Sequence, residues 1–156
     1  MSSRKSNYAA WLAKADNDLL NIENNLAAER VPWDTVCFHA QQAAEKLLKA
    51  YLVYHGRTPT RTHDLVALLT RCVEIDAGLA TLENDCRSLT YYAVGSRYPD
   101  DLFEPEESDA RAMLEALHRV RTAILALLPA DSARGALDEN ARRRKTRNRK
   151  RPNHDR

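Results

Sequence analysis

The 156-residue chain is sized for one domain, and its composition (four Gly, six Pro, 29% charged residues) favours helix over a turn-rich β architecture. The longest apolar run, Ala123 to Leu128, stops at Pro129, and Met1-Ser2-Ser3-Arg4-Lys5-Ser6 leads into an amphipathic pattern, so neither a membrane span nor a secretory segment is read and a cytoplasmic location is expected. Charge is unevenly spread: residues 1–141 hold 15 Lys/Arg against 21 Asp/Glu, while residues 142–156 hold nine Lys/Arg against one Asp.

In chain order, the spacing predicts a first helix from about Ser6, with Ser6 as N-cap and Trp11, Ala15, Leu19, Ile22 and Leu26 as its buried stripe. Pro32 and Asp34 signal the start of a second helix that runs to about His55, where Gly56 can take the left-handed C-terminal position. Its core face is Val36, Ala40, Ala43, Ala44, Leu47 and Tyr51. After the loop Arg57-Thr58-Pro59-Thr60-Arg61, Thr62 is expected to cap a short third helix with Leu65, Leu68, Leu69 and Cys72 inward. Asp76 can cap a fourth helix with the stripe Leu79, Leu82, Cys86, Leu89 and Ala93, ended by Gly95 and Pro99. An acidic loop spans residues 100–107. Ser108 then opens a fifth helix, with Met113, Leu117, Val120, Ile124 and Leu127 inward, which Pro129 closes. The expectation is an all-α bundle of four to five helices in up-down order over residues 6–129. Residues 130–156 have nothing to bury and read as a disordered basic tail.

The second helix carries the first candidate site. At about 100° per residue, His39, Gln42, Lys46 and Lys49 form a polar stripe beside the core face. Such a stripe is either the solvated face every amphipathic helix needs, or a groove whose imidazole, amide and ammonium suit an anionic ligand such as a phosphate. The end of the fourth helix, Tyr91-Tyr92-Ala93-Val94-Gly95-Ser96-Arg97-Tyr98-Pro99-Asp100, is the second. Arg97 there can cap carbonyls or pair with Asp100 or Asp101, and Tyr98 beside a guanidinium also suits a base and its phosphate. His63 is read either as a first-turn histidine that packs on its neighbours or as part of the same groove.

Several chemistries are not indicated. Cys37, Cys72 and Cys86 are odd in number and lack CxxC spacing, which argues for buried reduced thiols over a disulfide or a zinc site. There is no glycine-rich phosphate loop, no Ser-His-Asp order and no paired catalytic carboxylates, so no cofactor and no metal site is expected. Asp100, Asp101, Glu104, Glu106 and Glu107 read as a solvated loop, with weak Mg²⁺ attraction as the other reading.

Three blocks, Phe38-His39-Ala40-Gln41-Gln42-Ala43-Ala44-Glu45-Lys46-Leu47-Leu48-Lys49-Ala50, Thr62-His63-Asp64-Leu65 and Ser96-Arg97-Tyr98-Pro99-Asp100, resemble the signature blocks of HEPN (higher eukaryotes and prokaryotes nucleotide-binding) domains over about residues 8–128. The resemblance implies a helical bundle, commonly dimeric, that partners a small nucleotidyltransferase in a toxin–antitoxin-like pair. It places the ligand groove at His39, Gln42, Lys46, His63, Arg97 and Tyr98. Many such domains are metal-independent ribonucleases with an Arg and a His separated by four to six residues near the start of the last long helix. In this chain no His follows Arg97 at that spacing; Arg57 with His63 and Arg111 with His118 do meet it.

The leading expectation is therefore a homodimeric nucleotide- or RNA-binding module. One alternative is a metal-independent endoribonuclease toxin with a non-standard set drawn from Arg97, His63 and His39; another is a purely structural interaction protein. The basic tail either binds nucleic acid without sequence preference or is a solubilising extension.

Overall fold

A computed structural model describes the backbone of residues 2–95 and 104–130, and the side chains of residues 7–90 and 104–130. These residues form five α helices: α1 (Ser2–Leu26), α2 (Trp33–Tyr54), α3 (Leu65–Val73), α4 (Glu83–Gly95) and α5 (Glu107–Ala126). A 3-10 segment, Ala77–Leu82, leads into α4, and no strand occurs among the described residues. The all-α bundle expected from composition is the observed architecture.

The organising element is α2, which packs against α1, α3, α4 and α5. Its predicted core face is buried throughout, with Val36, Ala40, Ala43 and Ala44 fully enclosed and Leu47 and Tyr51 nearly so. The three alanines let neighbouring backbones come close, and the larger Leu47, Leu48 and Leu52 fill the space between helices. Burial of each leucine contributes about 2 kcal/mol.

Helix ends follow local chemistry. Pro32 stands at the N-cap of α2, and Asp34 Oδ1 accepts a hydrogen bond from the Thr35 N–H at 2.8 Å. At the other end Gly56 adopts φ +73°; its N–H donates to Val53 O at 3.0 Å and the Arg57 N–H to Leu52 O at 2.9 Å, which closes the helix as a Schellman motif.

The structure moves five expected boundaries or contacts; one is the start of α5, where Glu106 and not Ser108 is the N-cap and its N–H donates to Asp109 Oδ2 at 2.9 Å. The first helix starts at Ser2 and not at Ser6, because no Gly or Pro among residues 2–5 interrupts it. The cap of α3 is Asp64, whose Oδ1 accepts from the Val66 and Ala67 N–H groups at 2.9 and 3.2 Å, while Thr62 Oγ1 accepts from the Asp64 N–H. Asp76 caps the 3-10 segment that precedes α4, through Gly78 N–H at 2.9 Å. The last predicted core residue, Leu127, is exposed and Leu128 is buried in its place, because α5 ends at Ala126 and helical spacing no longer governs the chain beyond it.

In α1 the fully buried positions are Leu12, Ala15 and Ile22, with Trp11, Leu19 and Leu26 half-buried at the edges of the stripe. Leu79, Leu82, Cys86 and Leu89 are buried as expected; Ala93, the residues from Ser96 to Phe103, and the tail from Asp131 onward lie outside the described side chains. All three thiols are buried and unpaired, and burial pushes Cys37 up to about 11 and Cys72 and Cys86 up to about 12. They stay protonated, hence unreactive, at neutral pH.

The Gly56 position gives a direct check on the end of α2. A methyl group there meets no atom within 4 Å, so the cost of Gly56→Ala is conformational. The substitution is expected to lower stability by about 1 kcal/mol in urea unfolding; an unchanged midpoint would contradict the assigned backbone.

Candidate functional site

The polar stripe of α2 is neither a wet face nor an open row of cations. It is tied into the protein through two buried carboxylates. Asp18, on α1, sits three residues after Ala15 and four before Ile22, in the register of the buried stripe, and is itself buried. It binds His39 Nδ1 at 2.9 Å and also pairs with the Lys46 ammonium. Both partners come from the same side of α2, two turns apart, so a single carboxylate of α1 compensates both.

Glu45 is the second anchor. Its side chain is 6% exposed; Oε1 takes the Lys49 ammonium at 2.7 Å, and Oε2 lies 3.0 Å from His63 Nδ1. Gln41 Nε2 donates to the His63 carbonyl at 3.0 Å and reaches Glu45 Oε2 at 3.4 Å, while its Oε1 accepts from Gln42 Nε2 at 2.8 Å. Among the described residues no buried side-chain polar atom lacks a partner. Burial acts to raise the Glu45 pKa, but hydrogen bonds from Lys49 and His63, together with their charges, outweigh it and hold the carboxyl below its ordinary value.

The two histidines thus share one geometry. A carboxylate only accepts, so each imidazole must present Nδ1–H to it, which leaves Nε2 as the unshared nitrogen of the neutral ring. The surroundings differ. His39 is mostly enclosed, whereas the His63 side chain is 68% exposed. Glu45 therefore aims an exposed imidazole from a buried base.

Of the residues singled out from the sequence, His39 and Lys46 lie on the α1–α2 seam, Gln42 bonds Gln41, and His63 stands at the start of α3, linked to α2 through Glu45 and Gln41. Arg97 and Tyr98 lie outside the described residues. The Leu65 N–H donates to Thr90 Oγ1 at 3.3 Å, which sets α4 beside the start of α3, and α4 is described as far as Gly95, two residues before Arg97. Sequence reasoning missed Asp18, Glu45 and Gln41. The available signal was a charged or amide residue in a buried register: Asp18 between Ala15 and Ile22, and Gln41 and Glu45 flanking Ala43 and Ala44.

The other two Arg/His spacings are placed differently. Arg57 pairs with Glu74 at 2.9 Å, across the loop from His63. Arg111 pairs with Glu107 at 2.9 Å and lies over the Trp33 ring at 5.7 Å; with His118 it lines a shallow groove of about 370 Å³ on the exposed face of α5. No cluster of three or more His, Cys, Asp or Glu suited to a metal occurs among the described residues, nor any helix long and apolar enough to cross a membrane.

The family model for the HEPN domain matches residues 8–127, which contain α2, both carboxylate anchors and His63. The chain belongs to the HEPN family. At the level of the family this makes it a nucleotide- or RNA-related module. No curated protein and no solved structure matches it.

The Glu45 anchor has a pH signature. A carboxyl whose pKa is depressed on folding stabilises the folded state fully above its unfolded value, about 4.3, and loses that contribution as pH falls through the lower folded value. The stability difference between the unaltered protein and Glu45→Gln is therefore expected to be largest near neutral pH and to shrink on acidification below about pH 4. Thermal melts at a series of pH values measure it; a difference that grows on acidification would contradict the assigned pairing.

Proposed function

We propose that this HEPN protein is a nucleotide- or RNA-binding module whose site lies at the α2–α3 edge, centred on His63. The observation that carries the reading is the buried Glu45 holding the exposed His63 ring by Nδ1 at 3.0 Å. The buried Glu45–Lys49 pair meets the ring of His63 and Gln41 meets its carbonyl, so the helix interior holds in place an imidazole that itself stays solvent-facing. In this reading Arg97 contributes a guanidinium to phosphate and Tyr98 a ring to the base, while His39 and Lys46 hold the α1–α2 wall of the site through Asp18 and Gln42 supports Gln41. The module acts as a homodimer and as the partner of a small nucleotidyltransferase in a toxin–antitoxin-like pair in the cytoplasm, as the family resemblance implies.

Isothermal calorimetry with nucleotides and short RNAs tests this. Loss of a charge-assisted contact corresponds to a loss of about tenfold or more, so His63→Ala and Arg97→Ala are each expected to weaken binding by that factor. His63 is the cleaner position, because removal of Lys46 would leave Asp18 without its ammonium in a buried setting. Absence of binding to either ligand class, or affinity unaffected by both substitutions, would overturn the proposal.

One observation favours a second reading, a metal-independent endoribonuclease. With Nδ1–H bound to a carboxylate, Nε2 of His63 is suited to take the proton of a ribose 2′-hydroxyl as its oxygen attacks phosphorus and the 5′-oxygen leaves, with Arg97 stabilising the pentavalent phosphate. RNA cleavage that persists in excess EDTA and is lost in His63→Ala would establish this reading. Intact RNA at high protein concentration would leave binding as the function.

A further inference from the structure

Lys49 faces two ways. Its ammonium is 2.7 Å from Glu45 Oε1 on one side, and 5.4 Å from the Trp11 ring centroid on the other. Trp11 is half-buried on α1, and a second ammonium, that of Lys14 one turn along, lies 5.5 Å from the same ring. Lys14 is exposed and has no ion pair or hydrogen bond among the described residues, whereas Lys49 is held by Glu45. The indole thus has one fixed cation and one movable one.

Ammonium–indole contacts of this kind also occur as ordinary surface packing, in which a lysine stem covers an aromatic ring. Two features go beyond that. The fixed cation is shared with the carboxylate that orients His63, so Trp11 and His63 flank one buried Lys49–Glu45 pair. The movable cation can leave the ring at little cost, since Lys14 has no ion pair or hydrogen bond to lose among the described residues, and a nucleobase taking its place stacks on the indole while the ammonium stays beside the strand for a phosphate.

We propose that Trp11 and Lys14 form a base-stacking subsite for single-stranded RNA whose neighbouring nucleotide lies at His63. The proposal rests on the nucleic-acid reading given above and makes it more specific: the ligand is a strand that spans from the start of α3 to the α1–α2 seam, and a mononucleotide fills only the His63 part. Trp11 is not assigned any part in chemistry.

Intrinsic fluorescence tests this in the full-length protein. The chain has two tryptophans, so Trp33→Phe leaves Trp11 as the single indole reporter. Oligouridylate is expected to quench it, and uridine monophosphate to leave it nearly unchanged. Trp11→Ala is expected to weaken oligouridylate binding by about tenfold while affinity for the mononucleotide holds, and Trp11→Phe to retain most of it. Lys14→Gln, a surface change that leaves the core untouched, is expected to make the dependence of log K on log salt shallower by about 0.7. If oligouridylate binds and His63→Ala weakens it, but the indole is not quenched and neither Trp11→Phe, Trp11→Ala nor Lys14→Gln has an effect, the subsite is overturned and the function stands. If Trp11 and Lys14 matter and His63 does not, the subsite stands and the His63 centre is overturned. If neither ligand binds, both fail.

Discussion

Two carboxylates in the interior of a helical bundle must be compensated or they would unfold it, and the rest of this structure is arranged around that requirement. Asp18 and Glu45 are buried, and leaving either without its partners would cost several kcal/mol. Each is met by one ammonium and one imidazole, Lys46 with His39 and Lys49 with His63. Three of those four partners come from α2, so the central helix supplies both the apolar face that fills the core and the cations that make the adjoining charges tolerable. Replacement of such a network by apolar side chains is often neutral or stabilising, which makes its presence more informative about function than about stability.

The consequence for chemistry lies in which nitrogen is left over. Binding Nδ1–H to a carboxylate fixes the tautomer and the ring plane of a histidine and directs Nε2 away from the anchor. The His39 side chain is mostly enclosed beside the α1–α2 seam. The His63 side chain, on the short segment that precedes the Asp64 cap, is open to solvent. The same bonding pattern therefore yields a seam-locking residue in one case and a presented one in the other, and family membership over residues 8–127 supplies the nucleotide- or RNA-related setting in which a presented imidazole has use.

Much of the fold was legible because the apolar period of α2 admits no second register: Val36, Ala40, Ala43, Ala44, Leu47 and Tyr51 can share a face only as a helix. Ends were less legible where two residues of the same capping chemistry compete. Thr62 and Asp64 both suit an N-cap, and Asp64 takes the role because it immediately precedes Leu65, the first buried residue of α3. The stripe itself was legible, but not its meaning. Periodicity marks Lys46 and His39 as polar without saying what faces them, and their partner Asp18 sits 28 and 21 residues away on another helix. A contact between helices cannot be read from the period of either one.

The proposed site depends on Glu45 holding Nδ1 of His63, so the tautomer of that ring is the decisive measurement. Long-range ¹H–¹⁵N correlation of the imidazole at a pH where the ring is neutral reads it. A protonated Nδ1 and a bare Nε2 are expected, with the Nε2 resonance shifting when a nucleotide or short RNA is added. A proton on Nε2, or a pair of nitrogens in fast exchange that ignores the ligand, would contradict the proposed site.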